Sequence, residues 1–210
     1  MNQKNGKNSL GLDLSFGEHD NPIDLFKKWF DKAKKTEIND PNAVALGTSD
    51  TNGQPSVRMV LLKGISDEGF VFYTNFNSKK GKDLKSNELA SMCFHWKSLR
   101  RQVRIIGVVK EVTNEEADQY YNSRAYESRI SAWASSQSEI MSSRNIFLKK
   151  LDEFKKKYPD EKKVPRPPHW SGWRIHPKEI EFWIDGEYRV HERLNYKNKK
   201  GEWVKEILYP

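Results

Sequence analysis

The most informative feature of the sequence is a set of cations placed where a folded protein would need a bound anion. The first group is Ser78-Lys79-Lys80-Gly81-Lys82, in which Ser78 is a typical N-cap residue for a short helix. Lys79 and Lys80 would then lie in the first turn, at the positive end of the helix dipole, which is mildly unfavourable. A phosphate would reverse that sign, because free backbone N–H groups and both ammonium groups would point toward it. The motif indicates either a phosphate site or a solvated, lysine-rich loop.

A second pair of cations flanks a run that is otherwise apolar. Arg58 and Lys63 lie on either side of residues 59–62, which have the composition of a buried strand. Long cationic side chains in such a run need an anion or an end that reaches solvent. Strand alternation puts positions 58 and 63 on opposite faces, so Lys63 should reach its partner from the strand end. The pair indicates either a second contribution to an anion site or two side chains that extend to water at a strand edge.

The third group lies near the C-terminus. Arg189, His191 and Arg193 recur at i, i+2 and i+4, which would place them on one face of a strand. Like charges on one face are disfavoured unless something negative covers them, and arginine is suited to bidentate contact with phosphate. The alternative is an exposed edge strand protected from aggregation by its charge.

The elements that must position these groups are mainly strands. Asn21 and Pro22 mark the start of a first helix, and residues 78–85 form the short basic segment described above. Between them and beyond, turn signals separate runs with strand composition, which favours a closed or nearly closed antiparallel barrel. The predicted strands are 43–47, 57–62, 70–73, 89–96 and 103–112.

The second half of the chain adds helices and then further strands. Thr113 and Glu116 form a capping-box pattern for one helix, and apolar residues recur at helical spacing from 147 to 158. After a proline-rich linker, Asp185-Gly186 predicts a two-residue hairpin turn. The strands predicted in this part are 172–175, 179–184, 188–196 and 203–208.

Composition limits the classes of protein that the chain could belong to. The 210 residues predict a flexible N-terminal segment, 1–20, followed by one domain, 21–210. The absence of a signal peptide or a long apolar run leads us to expect a cytoplasmic protein without a membrane partner. The histidines lack metal-ligand spacing, so no metal is expected, and the hydrolase and Rossmann motifs are missing. A net charge of +8 leaves a nucleic-acid binder as an alternative, although the lysine-rich segments resemble solvated faces and no nucleic-acid partner is expected.

Taken in order, these motifs resemble those of the pyridoxine (pyridoxamine) 5′-phosphate oxidase family from about residue 21 to residue 210. Several motifs with matching order and spacing are more specific than any one of them. Lys79 departs from the family pattern, where arginine is common, and so do Ala125 and Arg129. The matching stretches are 58–63, 72–75, 78–80, 101–103, 120–124, 137–138, 181–183 and 189–193.

The resemblance implies an FMN-binding split β-barrel of the α+β class, antiparallel and Greek-key-like, that forms a homodimer with each flavin between the subunits. It implies that Arg189 and His191 act on the substrate ring as the catalytic pair. The substrate would be bound by Lys63, Tyr120, Arg124, Ser128, Arg189, Val190 and His191. FMN would be bound by Arg58, Met59, Val60, Leu61, Leu62, Lys63, Tyr73, Thr74, Lys79, Lys80, Gln102, Gln137, Ser138, Trp183 and Arg193.

The reaction implied by the resemblance is oxidation of pyridoxamine 5′-phosphate, pyridoxine 5′-phosphate or both to pyridoxal 5′-phosphate. Dioxygen would be the electron acceptor and hydrogen peroxide the second product, with FMN carrying the difficult chemistry. A barrel of the same fold that binds FMN or pyridoxal phosphate without turnover is the alternative hypothesis.

Overall fold

The fold is seen in a computed structural model that describes residues 6–210. It is built on a nine-stranded antiparallel sheet, which agrees with the mainly β, α+β class predicted from the sequence. The strands are β1 (Ala43–Ser49), β2 (Pro55–Leu61), β3 (Gly64–Ser66), β4 (Gly69–Asn75), β5 (Leu89–Trp96), β6 (Arg101–Glu111), β7 (Trp170–Ile184), β8 (Glu192–Lys199) and β9 (Glu202–Leu208).

The order of the strands shows that the sheet curls on itself. The main path runs β2-β1-β5-β6-β7-β4-β3, so β2 and β3 lie at its two ends. Yet only Leu62 and Lys63 separate β2 from β3 along the chain. The three Cα–Cα steps from Leu61 to Gly64 span at most about 11 Å, so the two edges must approach each other. The result is a barrel split along that seam, with β8 and β9 added beside β7.

Strand β7 is the longest strand of the sheet and pairs with three others. It pairs with β6 along its length, with β4 through its first half and with β8 through its second half. The two separate strands predicted at 172–175 and 179–184 are therefore one strand, which is a correction. A register shift next to Gly107 admits Pro177, whose missing N–H would otherwise interrupt the ladder.

Five helices lie among the described residues outside the short 3-10 turns. Asn21 caps the first and Ser78 the second, as predicted, but the helix that follows residue 125 was not predicted. The described helices are too short or too polar to cross a bilayer. They are α1 (Pro22–Thr36), α2 (Lys79–Ser86), α3 (Asn114–Ser123), α4 (Tyr126–Ala134) and α5 (Arg144–Lys157).

The core lies between α1 and the curled sheet. The ring of Phe26 on α1 is 4.8 Å from that of Phe70 and 5.1 Å from that of Phe94, in edge-to-face arrangements. Trp29 is fully buried and its ring lies 5.1 Å from Phe182 on β7. Because such aromatic pairs add to the area they bury, α1 closes one side of the barrel firmly.

The N-terminal segment predicted to be flexible over residues 1–20 lies partly outside the described residues. From residue 6 onward the chain lies against the domain, where Phe16 is fully buried against Trp29. Trp29 Nε1 donates to the carbonyl of Ser15 at 2.8 Å, and Lys7 pairs with Glu192. Packing of the described domain therefore begins before residue 21.

The connection between β7 and β8 corrects two sequence predictions. Ile184 pairs with Glu192, so residues 185–191 form a loop instead of a two-residue hairpin, and β8 begins at Glu192 instead of 188. The loop has its own hydrogen bonds: the N–H of Gly186 donates to His191 Nδ1 at 3.2 Å, and Arg100 binds Asp185. These contacts outweigh the local hairpin preference of Asp-Gly. Arg189, His191 and Arg193 therefore do not share a strand face.

Candidate functional site

A cavity of about 350 Å³ opens at the seam of the barrel. It lies between β2 and β4 on one side and α3 and α4 on the other. Most of the residues predicted to bind a phosphorylated cofactor or substrate in the first two thirds of the chain line it. The lining residues are Met59, Val60, Leu61, Lys63, Tyr73, Thr74, Asn75, Lys80, Tyr120, Arg124, Ser131, Ala132, Ser135, Gln137 and Trp170.

Lys80 supplies a buried cation at one end of this cavity. Its ammonium group donates to Thr74 Oγ1 at 3.0 Å, Ser78 Oγ at 3.1 Å and Gln137 Oε1 at 3.0 Å, and the residue is only 9% exposed. Burial, with the nearby charge of Arg58, lowers the pKa of Lys80 to about 8. All three acceptors are neutral, so within the described residues no carboxylate pairs directly with this ammonium group.

The N-terminus of α2 brings Lys80 into the cavity. Ser78 accepts from the N–H of Gly81 and so caps the helix as predicted. A Cβ at Gly81 would lie 2.3 Å from the carbonyl oxygen of Phe76, so only glycine allows the first turn of α2 to pack this closely on the end of β4. The first N–H groups of the helix lack intrahelical partners and can bind an anion beside Lys80.

Arg58 and Lys79 lie behind Lys80 and share one carboxylate. Arg58 Nη2 is 3.7 Å from Asp83 Oδ2, and Lys79 Nζ is 3.3 Å from Asp83 Oδ1. Asp83 also accepts from Thr48 Oγ1 at 2.7 Å. Arg58 does not line the cavity, and burial lowers its pKa while Asp83 opposes that effect. The two residues thus add positive charge next to the cavity.

Arg124 supplies a second cation, half-buried, at the aromatic wall of the cavity. Its guanidinium carbon lies 4.6 Å from the ring centre of Trp170, and its Nη1 is buried without a hydrogen-bond partner. Burial lowers the pKa of Arg124. Tyr73 and Tyr120 stack at 4.0 Å beside it, and Lys63 Nζ is 6.0 Å from the Tyr120 ring. An unpartnered guanidinium on an aromatic wall is suited to bind an anion whose attached ring stacks on that wall.

The remaining predicted residues form a second cluster on β6, β7 and β8. Gln102 pairs with Trp183, and Trp183 pairs with Arg193, so the three are cross-strand neighbours. The His191 ring lies 4.6 Å from that of Trp183 and its Nδ1 is 3.2 Å from Asp185. Glu181, almost completely buried, accepts from Arg193 Nε at 2.8 Å and raises the pKa of Arg193.

The two clusters lie far apart within one chain. Trp170 begins β7 and belongs to the cavity, whereas Trp183, near the other end of β7, belongs to the second cluster. At roughly 3.3 Å per residue, the strand between them is on the order of 40 Å long. Arg189 and Val190 are exposed and stand still further out on the loop after β7. One chain therefore does not bring all the predicted residues together.

A few predicted residues lie beside the cavity but do not line it. The side chain of Leu62 is buried in the core, and Ser138 lines a neighbouring cavity with Lys79. Ser128 is on α4 but is not among the cavity residues. Arg129, one of the departures from the family pattern, is buried and donates to the carbonyl of Glu161 at 2.6 Å, a structural contact.

Sequence reasoning missed five residues that line the cavity, which are Asn75, Ser131, Ala132, Ser135 and Trp170; two of them have contacts that shape it. Trp170 supports Arg124, and Asn75 Nδ2 donates to the carbonyl of Ser135 at 3.2 Å, which holds the loop that carries Gln137. Asn75 ends one of the matching stretches, so that stretch could have drawn attention to it. Trp170 follows the proline-rich linker, where the sequence carries no functional signal.

The donor set fits a flavin phosphate on chemical grounds. Lys80 is a desolvated cation with neutral partners at a helix N-terminus, and Arg58 and Lys79 reinforce the positive potential. The apolar strand residues Met59 and Leu61 are exposed, although they would more often be buried, and they provide a surface for a planar ring. The cavity can therefore accept a phosphate at the Lys80 end and a second anionic group at Arg124.

Comparison with known proteins gives matches over the whole described domain. A family model described as pyridoxamine 5′-phosphate oxidase matches residues 30–158, and one described as the pyridoxine 5′-phosphate oxidase C-terminal dimerisation region matches residues 170–210. A protein of Pelagibacter ubique (strain HTCC1062) named pyridoxine/pyridoxamine 5′-phosphate oxidase is 60% identical over 98% of this chain and 100% of its own length. A protein of the same name from Agrobacterium fabrum is 52% identical over 93% of this chain and 95% of its own length.

Solved structures agree with this result. PhzG from Burkholderia lata 383, solved in complex with tetrahydrophenazine-1-carboxylic acid, has a TM-score of 0.88 and 28% identity, and covers 98% of this chain and 100% of its own. An FMN-binding protein of Nostoc punctiforme, described as related to pyridoxamine 5′-phosphate oxidase, has a TM-score of 0.70 and 16% identity over 88% of this chain and 96% of its own. The second match supports the fold alone.

Proposed function

This chain belongs to the pyridoxamine 5′-phosphate oxidase family, and we propose that it oxidises pyridoxamine 5′-phosphate, pyridoxine 5′-phosphate or both to pyridoxal 5′-phosphate. FMN is the proposed cofactor, dioxygen the electron acceptor and hydrogen peroxide the second product. The cytoplasmic location expected from the sequence is part of the same proposal. The relatives that share 51–60% identity with this chain carry the corresponding enzyme name.

The observation that carries the proposal is a pair of cations in one cavity, Lys80, which is buried, and Arg124, which is half-buried with its Nη1 fully enclosed. Lys80 and Arg124 both line it, and within the described residues neither forms a salt bridge with a carboxylate. A desolvated cation without an anion is costly, so the buried Lys80 and the enclosed Nη1 of Arg124 are best explained by ligands that bring negative charge. A phosphorylated cofactor and a phosphorylated substrate would supply one anion each.

The residues around the cavity suggest how the cofactor would be held. Lys80, with Arg58 and Lys79 behind it, would bind the phosphate of FMN, while the exposed face of β2 and Gln137 would contact the rest of the molecule. Bound FMN would accept two electrons from the substrate and pass them to dioxygen. Lys63, Tyr120 and Arg124 would fix the substrate phosphate and so orient the ring.

Arg189 and His191 are the proposed catalytic residues, and they must come from a second copy of the chain. They lie at the far end of β7 from the cavity, together with Gln102, Trp183 and Arg193. A two-fold dimer would bring this end of one subunit over the cavity of the other. Arg189 and His191 would then orient the substrate and assist in removing its proton, while Arg193 would contact the cofactor.

The activity is tested with purified protein supplied with FMN and either phosphorylated vitamer. We expect pyridoxal 5′-phosphate, detected by its absorbance, and an equal amount of oxygen consumed. If saturating FMN is bound but neither substrate reduces it under anaerobic conditions, the chain is a binding protein without turnover. If FMN is not bound at all, both the cofactor and the reaction are wrong.

The shared site is tested by mixing two inactive variants in one dimer. Lys80→Met damages the cavity, and Arg193→Ala damages the second cluster. In a dimer with one copy of each, a site built from both chains pairs the intact Lys80 of one with the intact Arg193 of the other. We expect co-expression to restore about one active site in each mixed dimer. No recovery in an isolated mixed dimer would show that each chain forms its own site.

A further inference from the structure

Asp83 is a buried carboxylate inside the cation cluster that we assign to the cofactor phosphate. The residue is 4% exposed. Its Oδ1 lies 3.3 Å from Lys79 Nζ, and its Oδ2 lies 3.7 Å from Arg58 Nη2 and accepts from Thr48 Oγ1 at 2.7 Å. A carboxylate next to a phosphate site is unexpected, because it repels the ligand that the neighbouring cations attract.

Asp83 contributes little to the position of Arg58. Arg58 Nη1 donates to Thr48 Oγ1 at 2.6 Å and to the carbonyls of Leu46 and Ser56, and Nη2 donates to Ser56 Oγ at 2.7 Å. These acceptors are neutral, and only one of them, the Thr48 hydroxyl, is itself bonded to Asp83. The carboxylate therefore acts on Arg58 mainly through its charge.

The balance of charges indicates what Asp83 does. The cluster contains three positive charges, on Arg58, Lys79 and Lys80, and Asp83 lowers its net charge to +2. Without a bound anion, three cations so close together repel one another, and the carboxylate offsets part of that repulsion. When a phosphate binds, the same carboxylate lies near it and weakens the attraction.

We propose that Asp83 determines how strongly the protein prefers a phosphorylated flavin over an unphosphorylated one, by neutralising part of the cation cluster at the phosphate end of the cavity. The inference rests on the proposed function, since it assumes that FMN is the cofactor. Asp83 stabilises the flavin-free protein at the expense of phosphate affinity.

The test compares FMN with riboflavin, which lacks the phosphate. Flavin is removed from the full-length protein, and both ligands are titrated while flavin fluorescence is followed. Asp83→Asn should bind FMN about tenfold more tightly, as expected for the loss of one nearby charge in a partly screened site, and should bind riboflavin as before. Asp31→Asn makes the same chemical change in an exposed pair with Lys34 on α1 and should alter neither affinity.

Each result separates the possible roles. If Asp83→Asn lowers the affinities for FMN and riboflavin equally, the residue is only structural. If it lowers the affinity for FMN alone, Asp83 positions the cations. Both results overturn the proposal. Asp83→Glu keeps the charge and should keep the wild-type preference. If Asp83→Asn does not fold, Asp83→Ser removes the charge and keeps an oxygen that can accept from Thr48. If the wild-type protein binds neither flavin, the proposed function fails instead.

Discussion

Replacing Lys80 with methionine should make the flavin-free protein more stable and its binding of FMN weaker. The pKa of Lys80 falls from 10.5 to about 8, first because the side chain is buried and then because Arg58 is near. That difference corresponds to about 3 kcal/mol of lost stability below pH 8. Methionine has a similar length and carries no charge, so Lys80→Met removes this cost.

The change should leave few polar groups without partners. The Thr74 hydroxyl lies 3.4 Å from Gln137 Oε1 and can donate to it, while Ser78 Oγ donates to the carbonyl of Asn75 and accepts from the N–H of Gly81. We therefore expect a net gain of about 1–3 kcal/mol, or roughly 2–10 °C in Tm for a chain of this size. FMN affinity should fall at least about a hundredfold, because a buried cation on the phosphate is lost.

The stability difference between Lys80→Met and the wild-type protein should depend on pH. Between about pH 8 and pH 10.5 the folded wild-type protein holds Lys80 neutral while the unfolded chain keeps it protonated. The unfolded state then binds more protons, so wild-type stability should rise with pH through this window. The advantage of Lys80→Met should be full below pH 8 and absent above pH 10.5.

Thermal melts of flavin-free protein from pH 7 to pH 10, with FMN titrations at pH 7, measure both effects. Lys85→Met is the matched control, since Lys85 lies on the same helix and is exposed. Lys85→Met should show no pH-dependent gain in Tm and no loss of affinity for FMN. The reasoning is refuted if Lys80→Met lowers the Tm at pH 7, or if its FMN affinity equals that of Lys85→Met.

Three further changes test other parts of the site. Arg124→Leu should raise the KM for the phosphorylated substrate at least tenfold in steady-state assays while the protein stays yellow, because Arg124 is assigned to the substrate and not to the flavin. Gly81→Ala should lower the Tm and weaken FMN binding together, since the new Cβ would press on the carbonyl of Phe76; unchanged values of both would contradict the close packing. Glu181→Gln should cost about 3 kcal/mol in urea unfolding and increase the dissociation of FMN, because it leaves Arg193 without its buried partner.

Local signals predicted most of the fold. The caps at Asn21 and Ser78 and the extended runs of β2 and β5 depend on neighbouring residues alone, and they agree with the structure. The buried-strand composition of 59–62 was wrong about burial, because Met59 and Leu61 are exposed at the cavity. The short strand β3 was missed because its three residues are too few to show a period. The helix α4 was missed because its apolar positions are few and no side chain caps its N-terminus.

The arrangement of the site needed information that spacing does not contain. Pro177 made β7 look like two strands, so its length and the distance between Trp170 and Trp183 could not be estimated. Asp185-Gly186 has the local chemistry of a hairpin, and only the distant Arg100 shows why the chain forms a longer loop. Asp83 carried no signal, since an aspartate in a lysine-rich helix is usually a solvated ion-pair partner.

The loop after β7 provides an independent argument for a second subunit. Tyr188 and Arg189 have positive φ values of 53° and 67°, which cost non-glycine residues on the order of 1–3 kcal/mol each. Tyr188 is also 94% exposed, so contacts within its own chain do not account for a large aromatic side chain held in this conformation. The N–H of Gly186 nevertheless donates to His191 Nδ1, and Arg100 donates to Asp185, and these bonds fix the base of the loop. A rigid base that presents strained, exposed residues is suited to contact with another surface. In a dimer, that surface would be the cavity of the other copy, which contains Lys80 and Arg124.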